Sequence, residues 1–418
     1  MAGETCPSGW RLVKLGELGE VNRGRSRHRP RYASHLYGGP YPFIQTGDIR
    51  ASGGRVTRHS QTYSEAGLAQ SRLWPAGTLC ITIAANIAET AILTYPACFP
   101  DSVVGFLSNP SLCDVRFVEY MFRFLRQEIQ FQATGSVQYN INLATLGRLT
   151  FPAPSLEEQI LIAGLLGALD DKIELNRRMN QTLEAMARAI FKSWFVDFEP
   201  FNAVPLDSCT LVPSGWKTCP IGDAVTVLGG STPSTTEARY WGGDYNFATP
   251  KDLSNLVDPI LLDTERTITA EGLSKTNSGL LSPGTVLLSS RAPIGYLAIT
   301  EIPVAVNQGF IAMVCDRELP SFYVLQWARH NMETIIGNAN GTTFLEISKQ
   351  NFRPIEVIVP PKAVLDRFVD LVAPLYRRIA SNLKESRTLS TLRDTLLPKL
   401  LSGEIHVKQA EKLVAEVV

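Results

Sequence analysis

The sequence predicts an α+β chain: two mixed α/β domains related by internal duplication, separated by two long antiparallel coiled-coil helices. Three observations carry this. Blocks of the first half recur in order in the second half at an offset near 206 residues, each half closes on a Pro-rich exit, and each exit leads into a 4-3 apolar ladder. The 418 residues, 44% hydrophobic and 19% charged, are enough for two to four compact units of roughly 100–200 residues each.

Pro7-Ser-Gly-Trp10 returns as Pro213-Ser-Gly-Trp216, and Gly135 as Gly341, both 206 residues on. Within two or three residues of that offset, Phe43-Ile-Gln-Thr-Gly-Asp-Ile49 returns as Phe247-Ala-Thr-Pro-Lys-Asp-Leu253, Gly77-Thr78 as Gly284-Thr285, and Val104-Gly-Phe106 as Gln308-Gly-Phe310. One such match is chance. Five in the same order mean a repeated unit of one domain and one helix. The chain therefore divides into a first domain (1–152), a central long helix (153–203), a second domain (204–358) and a C-terminal long helix (359–418).

Strand-like runs in the domains are short, β-rich and bounded by Gly or Pro: Thr78–Ile83, Thr285–Ser289, Tyr296–Thr300 and Ile355–Val359. Helical patterns fall between them at Arg116–Gln132 and Ser321–Ile336. The exits Phe151-Pro-Ala-Pro154 and Val359-Pro-Pro361 then turn the chain into the long helices.

Ser155-Leu-Glu-Glu158 is a capping box that satisfies the first orphan amides. The ladder behind it runs Ile162, Leu166, Leu169, Ile173, Asn176, Asn180, Leu183, Ala187, Ile190, Trp194. Every rung repeats 206 residues later as Phe368, Val372, Leu375, Ile379, Asn382, Ser386, Leu389, Arg393, Leu396, Leu400. About forty residues at 1.5 Å rise make rods of ~60 Å. Residues 155–200 carry 5 basic and 8 acidic side chains and residues 361–402 carry 8 and 4, so the rods should pack on each other. Pro374 removes a helical hydrogen bond and should kink the second. A centred antiparallel register sets Asn176 against Ser386 and Asn180 against Asn382. Such a polar layer costs stability relative to Leu but penalises every slipped register. The alternative is that these four side chains face solvent or a partner subunit.

Lys plus Arg (40) balance Asp plus Glu (40), so no global field selects a polyanion and any such binding is local. Seven Cys without C-x-x-C spacing and only five His argue against a disulfide framework and a zinc site. With no basic-then-apolar leader and no apolar stretch near 18 residues, a soluble cytoplasmic protein without membrane association is expected. Phosphate-loop, nucleophile-elbow and H-E-x-x-H patterns are all missing. Asn109-Pro-Ser-Leu lacks the second Pro and the aromatic that amino-methyltransferases use to stack a flipped base. A single-chain methyltransferase is thereby disfavoured.

Binding chemistry is better represented. Arg23, Arg25, Arg27, Arg29 and Arg31 alternate with small or polar residues, a concentrated positive run that suits phosphates or guanine edges and is otherwise a solvated loop. The matching segment of the second half, Val227 to Ala238, has no such run, so the two domains should read different things. Gln45, Thr46 and Asp48, with their counterparts Thr249, Lys251 and Asp252, offer base-edge groups, although an Asp after a strand is also an ordinary turn cap. Gln138, Tyr139 and Asn140, together with Arg291, Thr342 and Thr343, complete the candidate DNA contacts on polar loops.

Gln138-Tyr-Asn-Ile-Asn142, Phe151-Pro-Ala-Pro-Ser-Leu-Glu-Glu-Gln-Ile160, Leu169-Asp-Asp-Lys-Ile-Glu-Leu-Asn176 and Ala189-Ile-Phe-Lys-Ser-Trp-Phe-Val-Asp-Phe-Glu-Pro200 resemble the specificity subunit of bacterial type I restriction-modification systems, over essentially the whole chain. The resemblance implies a non-catalytic subunit whose two target-recognition domains each read one half of a split double-stranded DNA sequence. It implies helices that dock two modification subunits, which bind S-adenosylmethionine and methylate adenine, and a restriction subunit in the full complex. No cofactor is then expected in this chain. Trp194, Phe195 and Phe198, with Asn176, Asn180, Asn382 and Ser386, become residues of helix pairing or subunit docking. The second helix lacks the aromatic exit, ending Leu397-Pro-Lys-Leu-Leu-Ser-Gly-Glu404. A duplicated coiled-coil scaffold that reads no DNA is the alternative.

Overall fold

The structure, a computed structural model, describes residues 7–28, 30–84, 86–134, 143–201, 203–205, 211–341 and 345–417. It divides into two compact units, Met1–Ile173 with Arg387–Val418, and Glu174–Ser386. Each unit holds one globular domain and a portion of both long helices, Leu156–Phe195 and Lys362–Leu401.

In the first unit a five-stranded sheet runs in the order Gly19–Arg23, Val103–Ser108, Leu79–Thr82, Thr90–Leu93, Arg55–Val56, antiparallel except for the last pair. In the second unit the order is Thr226–Leu228, Phe310–Val314, Val286–Ser290, Ile294–Thr300, Ile260–Leu261, again antiparallel except for the last pair. The duplication therefore extends to topology. Leu79–Thr82 and Val286–Ser290 are buried along their whole length, which is why they read as continuous runs instead of alternating ones. A second, small sheet pairs Tyr37–Phe43 with Gln61–Tyr63, and Trp241–Ala248 with Arg266–Ile268. A rim ladder joins Arg11–Lys14 to Thr150–Ala153, and Lys217–Pro220 to Glu356–Val359. Gly24 and its counterpart Gly230 sit where an added Cβ would run into the carbonyl oxygens of Pro100 and Val306 respectively. Only glycine allows that approach.

One helix covers the large sheet in each unit. Val115–Thr134 buries Phe117, Val118 and Met121, and Ser321–His330 buries Tyr323, Val324 and Trp327 at the same offsets. The helical pattern read over 321–336 is two helices, Ser321–His330 and Met332–Gly337. Asn331 divides them: its side-chain amide and its backbone N–H both donate to the Trp327 carbonyl at 2.9 Å, and its φ and ψ of −93° and 19° leave the helical range. Its counterpart is Leu125, which cannot compete, and there the helix runs on.

The long helices follow the ladder. Ser155 Oγ accepts from the Glu158 amide at 3.3 Å. Ile162, Leu166, Leu169, Leu389, Leu396 and Leu400 are buried in the first unit, and Ala187, Phe368, Val372 and Ile379 in the second. Lys362–Leu401 is one helix through Pro374, which lies on the exposed face. That helix stops where Gly403 takes a left-handed φ of 72°. The C-terminal segment then adds a separate helix, Val407–Val417, which the ladder had not announced.

Candidate nucleic-acid interface and polar seam

The Arg23–Arg31 segment is held by its backbone. The Arg25 amide donates to the Phe99 carbonyl at 3.1 Å, and Gln70 Oε1 accepts from the Arg27 and His28 amides at 2.6 and 2.9 Å. Arg23 Nε donates to the Asp101 carbonyl, and Arg31 Nη2 reaches both Asp101 carboxylate oxygens, all at 3.0 Å. Asp101 thus neutralises part of the run. The Arg25 and Arg27 guanidinium groups are exposed and have no ion-pair partner among the described residues, while Arg29 lies outside them. The matching edge of the second domain has no basic run and carries Glu237 where the first has Arg31. There Thr232 Oγ1 donates to Gln308 Oε1 at 2.6 Å and Ser231 Oγ accepts from the Asn277 amide at 2.9 Å.

The loop carboxylates turn out to be caps. Asp48 Oδ2 accepts from the Gln45 amide at 2.8 Å and from Ser60 Oγ at 3.2 Å, at the start of the helix Thr46–Ala51. Asp252 Oδ2 accepts from the Thr249 amide and hydroxyl at 2.7 Å each, and its Oδ1 accepts from the Glu265 amide at 2.8 Å. Asp48 and Asp252 thus cap turns, the ordinary role that an Asp after a strand offers. Lys251 pairs with Glu265 at 2.8 Å and Arg291 with Glu346 at 3.4 Å. Gln45 Nε2 donates to Gln61 Oε1 at 2.6 Å. Gln61 carried no sequence signal of its own; only the strand register places it beside Gln45. Gln138, Tyr139, Asn140, Thr342 and Thr343 lie outside the described residues.

In the second unit the polar rungs meet in the expected register. Asn176 Nδ2 donates to Ser386 Oγ at 3.2 Å and to Glu385 Oε2 at 2.8 Å, and Asn382 Nδ2 donates to Asn180 Oδ1 at 2.8 Å. Asn176, Asn180 and Asn382 are buried, so they do not face solvent. A further partner was not legible. Asn180 Nδ2 donates to Asp258 Oδ2 at 2.8 Å, tying the second domain to the rung. Burial raises the Asp258 pKa, against the hydrogen bond from Asn180.

The model of the type I restriction modification DNA specificity domain matches residues 7–185 and again residues 213–388. The chain belongs to this family. Membership gives it a DNA sequence-specificity role, as a non-catalytic component of a type I restriction-modification system. The chain is 26% identical to the type I restriction enzyme MjaIX specificity subunit of Methanocaldococcus jannaschii, over 96% of this chain and 95% of that one. It is 27% identical to the HindI specificity subunit of Haemophilus influenzae, over 63% and 71%. The crystal structure of the type I restriction-modification S subunit from M. genitalium has the same fold, with a TM-score of 0.60 at 17% identity over 96% of this chain and 97% of that one.

The aromatic exit of this specificity-family chain is interior. Phe195 lies 4.9 Å from Phe368, 4.8 Å from Tyr323 and 5.8 Å from Trp216 between ring centroids, and Phe198 lies 5.5 Å from Trp216. Both are buried, and Trp194 packs edge-on against Phe201 at 5.8 Å. These rings join the helices and seat the second domain. The contacts of Trp194 and Phe195 with Phe368 of the other long helix are those of helix pairing. Among the described residues no helix is long and apolar enough to cross a membrane.

Proposed function

We propose that each globular domain reads one half of a split double-stranded DNA target, and that the long helices dock two modification subunits. Those subunits bind S-adenosylmethionine and methylate adenine N6, and a restriction subunit joins them in the full cytoplasmic complex. The observation that carries this is the pair of domains itself. Their topology is the same, yet the matched edges present Arg25 and Arg27 in one and Thr232 with Gln308 in the other. A duplicated frame with diverged edges is what two different half-sites require. Docking is supported by large apolar side chains left about half exposed on the long helices, Leu161 in the first unit and Leu175, Met186 and Leu371 in the second.

The test is a genome-wide map of methylated adenines in the host, with and without this chain. A split motif present with the chain and lost without it is expected; an identical map in both hosts overturns the reading. DNA binding adds a finer check. Replacing Arg25 and Arg27 by Ala should flatten the salt dependence of binding by about two units, one for each phosphate no longer neutralised. An unchanged slope would leave the run as a solvated loop.

A further inference from the structure

The strand register puts one residue of each domain in the same place. Gln61 is the cross-strand partner of Phe43, and Arg266 is the cross-strand partner of Phe247. Phe43 and Phe247 are themselves matched by the duplication. Glutamine and arginine are both residue types whose side chains pair in bidentate fashion with purine edges in the major groove, glutamine (like asparagine) with adenine N6 and N7, arginine (like lysine) with guanine O6 and N7.

Each is held ready. Gln61 Oε1 accepts from Gln45 Nε2 at 2.6 Å. That oxygen keeps a second lone pair for an adenine N6–H, and Nε2 keeps its protons for N7. Exchanging the oxygen and nitrogen of both amides leaves the pair with the same kinds of outward group, a donor and an acceptor. The residues leading into it, Thr57 to Ser60, are exposed and include Arg58 and His59. In the second domain the Arg266 guanidinium lies 3.4 Å above the Trp241 ring, and the Trp241 Nε1 donates to the Ser234 carbonyl at 3.0 Å, which fixes the ring. Arg266 is exposed and has no ion-pair partner among the described residues. A buttressed amide and a stacked guanidinium both lose less freedom on binding than unrestrained ones.

We propose that Gln61 and Arg266 are the matched base-reading side chains of the two domains, Gln61 for adenine in one half-site and Arg266 for guanine in the other, with Gln45 positioning Gln61. This rests on the half-site reading above. It predicts an A·T pair contributed by one half-site and a G·C pair by the other.

The experiment is methylated-adenine mapping in a host carrying the full chain with its modification subunit, repeated for Gln61→Ala, Gln45→Leu, Arg266→Gln and Arg266→Lys. Gln61→Ala should level the preference at one A·T position of one half, by about 5- to 150-fold in discrimination. Gln45→Leu should weaken the same position less. Arg266→Gln should move one position of the other half from G·C toward A·T and leave the first half untouched. If Arg266→Gln methylates nothing, Arg266→Lys decides, since it keeps the charge and loses the fork; a relaxed G·C position is then expected. Unchanged preferences at every position, or equal loss in both halves, overturn the assignment while the wild-type split motif leaves the half-site reading standing. A wild-type map without a split motif removes that reading and the assignment with it.

Discussion

Each unit seats its sheet-covering helix on a long helix through the same pair of positions, 206 residues apart, with different chemistry in each copy. In the first unit Tyr120 donates from its hydroxyl to Asp170 at 2.7 Å. In the second the counterpart pair is Gln326 and Tyr376, with the Gln326 amide donating to the Tyr376 hydroxyl at 2.6 Å. Around Asp170 the first unit adds Arg123 at 3.1 Å and Arg393 at 2.6 Å, and Arg123 also binds Glu119 at 2.5 Å. Around Tyr376 the second unit adds a stacked ring, Phe322, at 4.9 Å, while Arg329, the counterpart of Arg123, pairs with Glu184. Burial raises the Glu119 pKa against the pull of Arg123, so the first seat holds its charges at a desolvation cost. Duplication has kept the geometry of the seat and exchanged its chemistry. The first seat centres on a charge, Asp170, shared by three donors, whereas the second centres on an amide–hydroxyl bond with the Glu184–Arg329 ion pair beside it.

The largest expected effect follows directly. Asp170→Ala removes the acceptor shared by Tyr120, Arg123 and Arg393, whose arginine side chains are only 18% and 20% exposed, and should cost the first unit about 3–5 kcal/mol. Native-state hydrogen exchange of amides in each unit measures it. A loss below about 1 kcal/mol, or one spread equally over both units, would break the comparison. Asn180→Leu comes next. It strands the buried Asp258 carboxylate and the Asn382 amide together, at about 1–3 kcal/mol for the second unit; unfolding midpoints in urea show the loss, and a gain in stability would mean that Asp258 finds water instead. Tyr376→Phe removes the hydroxyl that takes the Gln326 amide, keeps the ring stack and leaves the Glu184–Arg329 pair in place, for about 0.5–1.5 kcal/mol by the same exchange measurement. A cost equal to that of Asp170→Ala would erase the distinction between the two seats.

Much of this was legible because it is periodic or repeated. The ladder positions the rungs by spacing alone, and the identity of Asn176, Asn180, Asn382 and Ser386 is enough to choose a register, since polar groups must meet polar groups when buried. Pairings between distant segments were not legible. Asp258 is one acid among many in the sequence, and nothing local says that its chain path ends beside Asn180. Gln61 is likewise an ordinary strand residue until the register sets it against Phe43. The aromatic exit was legible only as a pair of alternatives: a Trp-Phe-x-x-Phe run signals apolar packing, but not whether it packs on this chain or another. Asp48 and Asp252 are the legible case, since an Asp just after a strand is where a turn cap is expected.

The smallest effect separates the units by pH. The Asp258 pKa is raised, chiefly by burial and also by Glu184, with Asn180 and Arg177 pulling the other way. A carboxyl whose pKa is higher folded than unfolded holds its proton longer in the native state, so the folded form binds more protons across the interval between the two values. Stability of the second unit from this group is therefore greatest below the ordinary carboxylate range near pH 4, declines as pH rises through the raised value, and stays lower at neutral pH. Asp258→Asn keeps an oxygen to accept from Asn180 Nδ2 and removes the ionisation. It should flatten that decline in the second unit and leave the first unit's pH dependence, where Glu119 is also raised, as it was. Hydrogen exchange in each unit between about pH 4 and 7 reads both at once. A second unit whose pH dependence is unaltered by Asp258→Asn would show that the Asn180 rung holds a carboxylate that never departs from its unfolded behaviour, and the tie between rung and domain would then be one of shape alone.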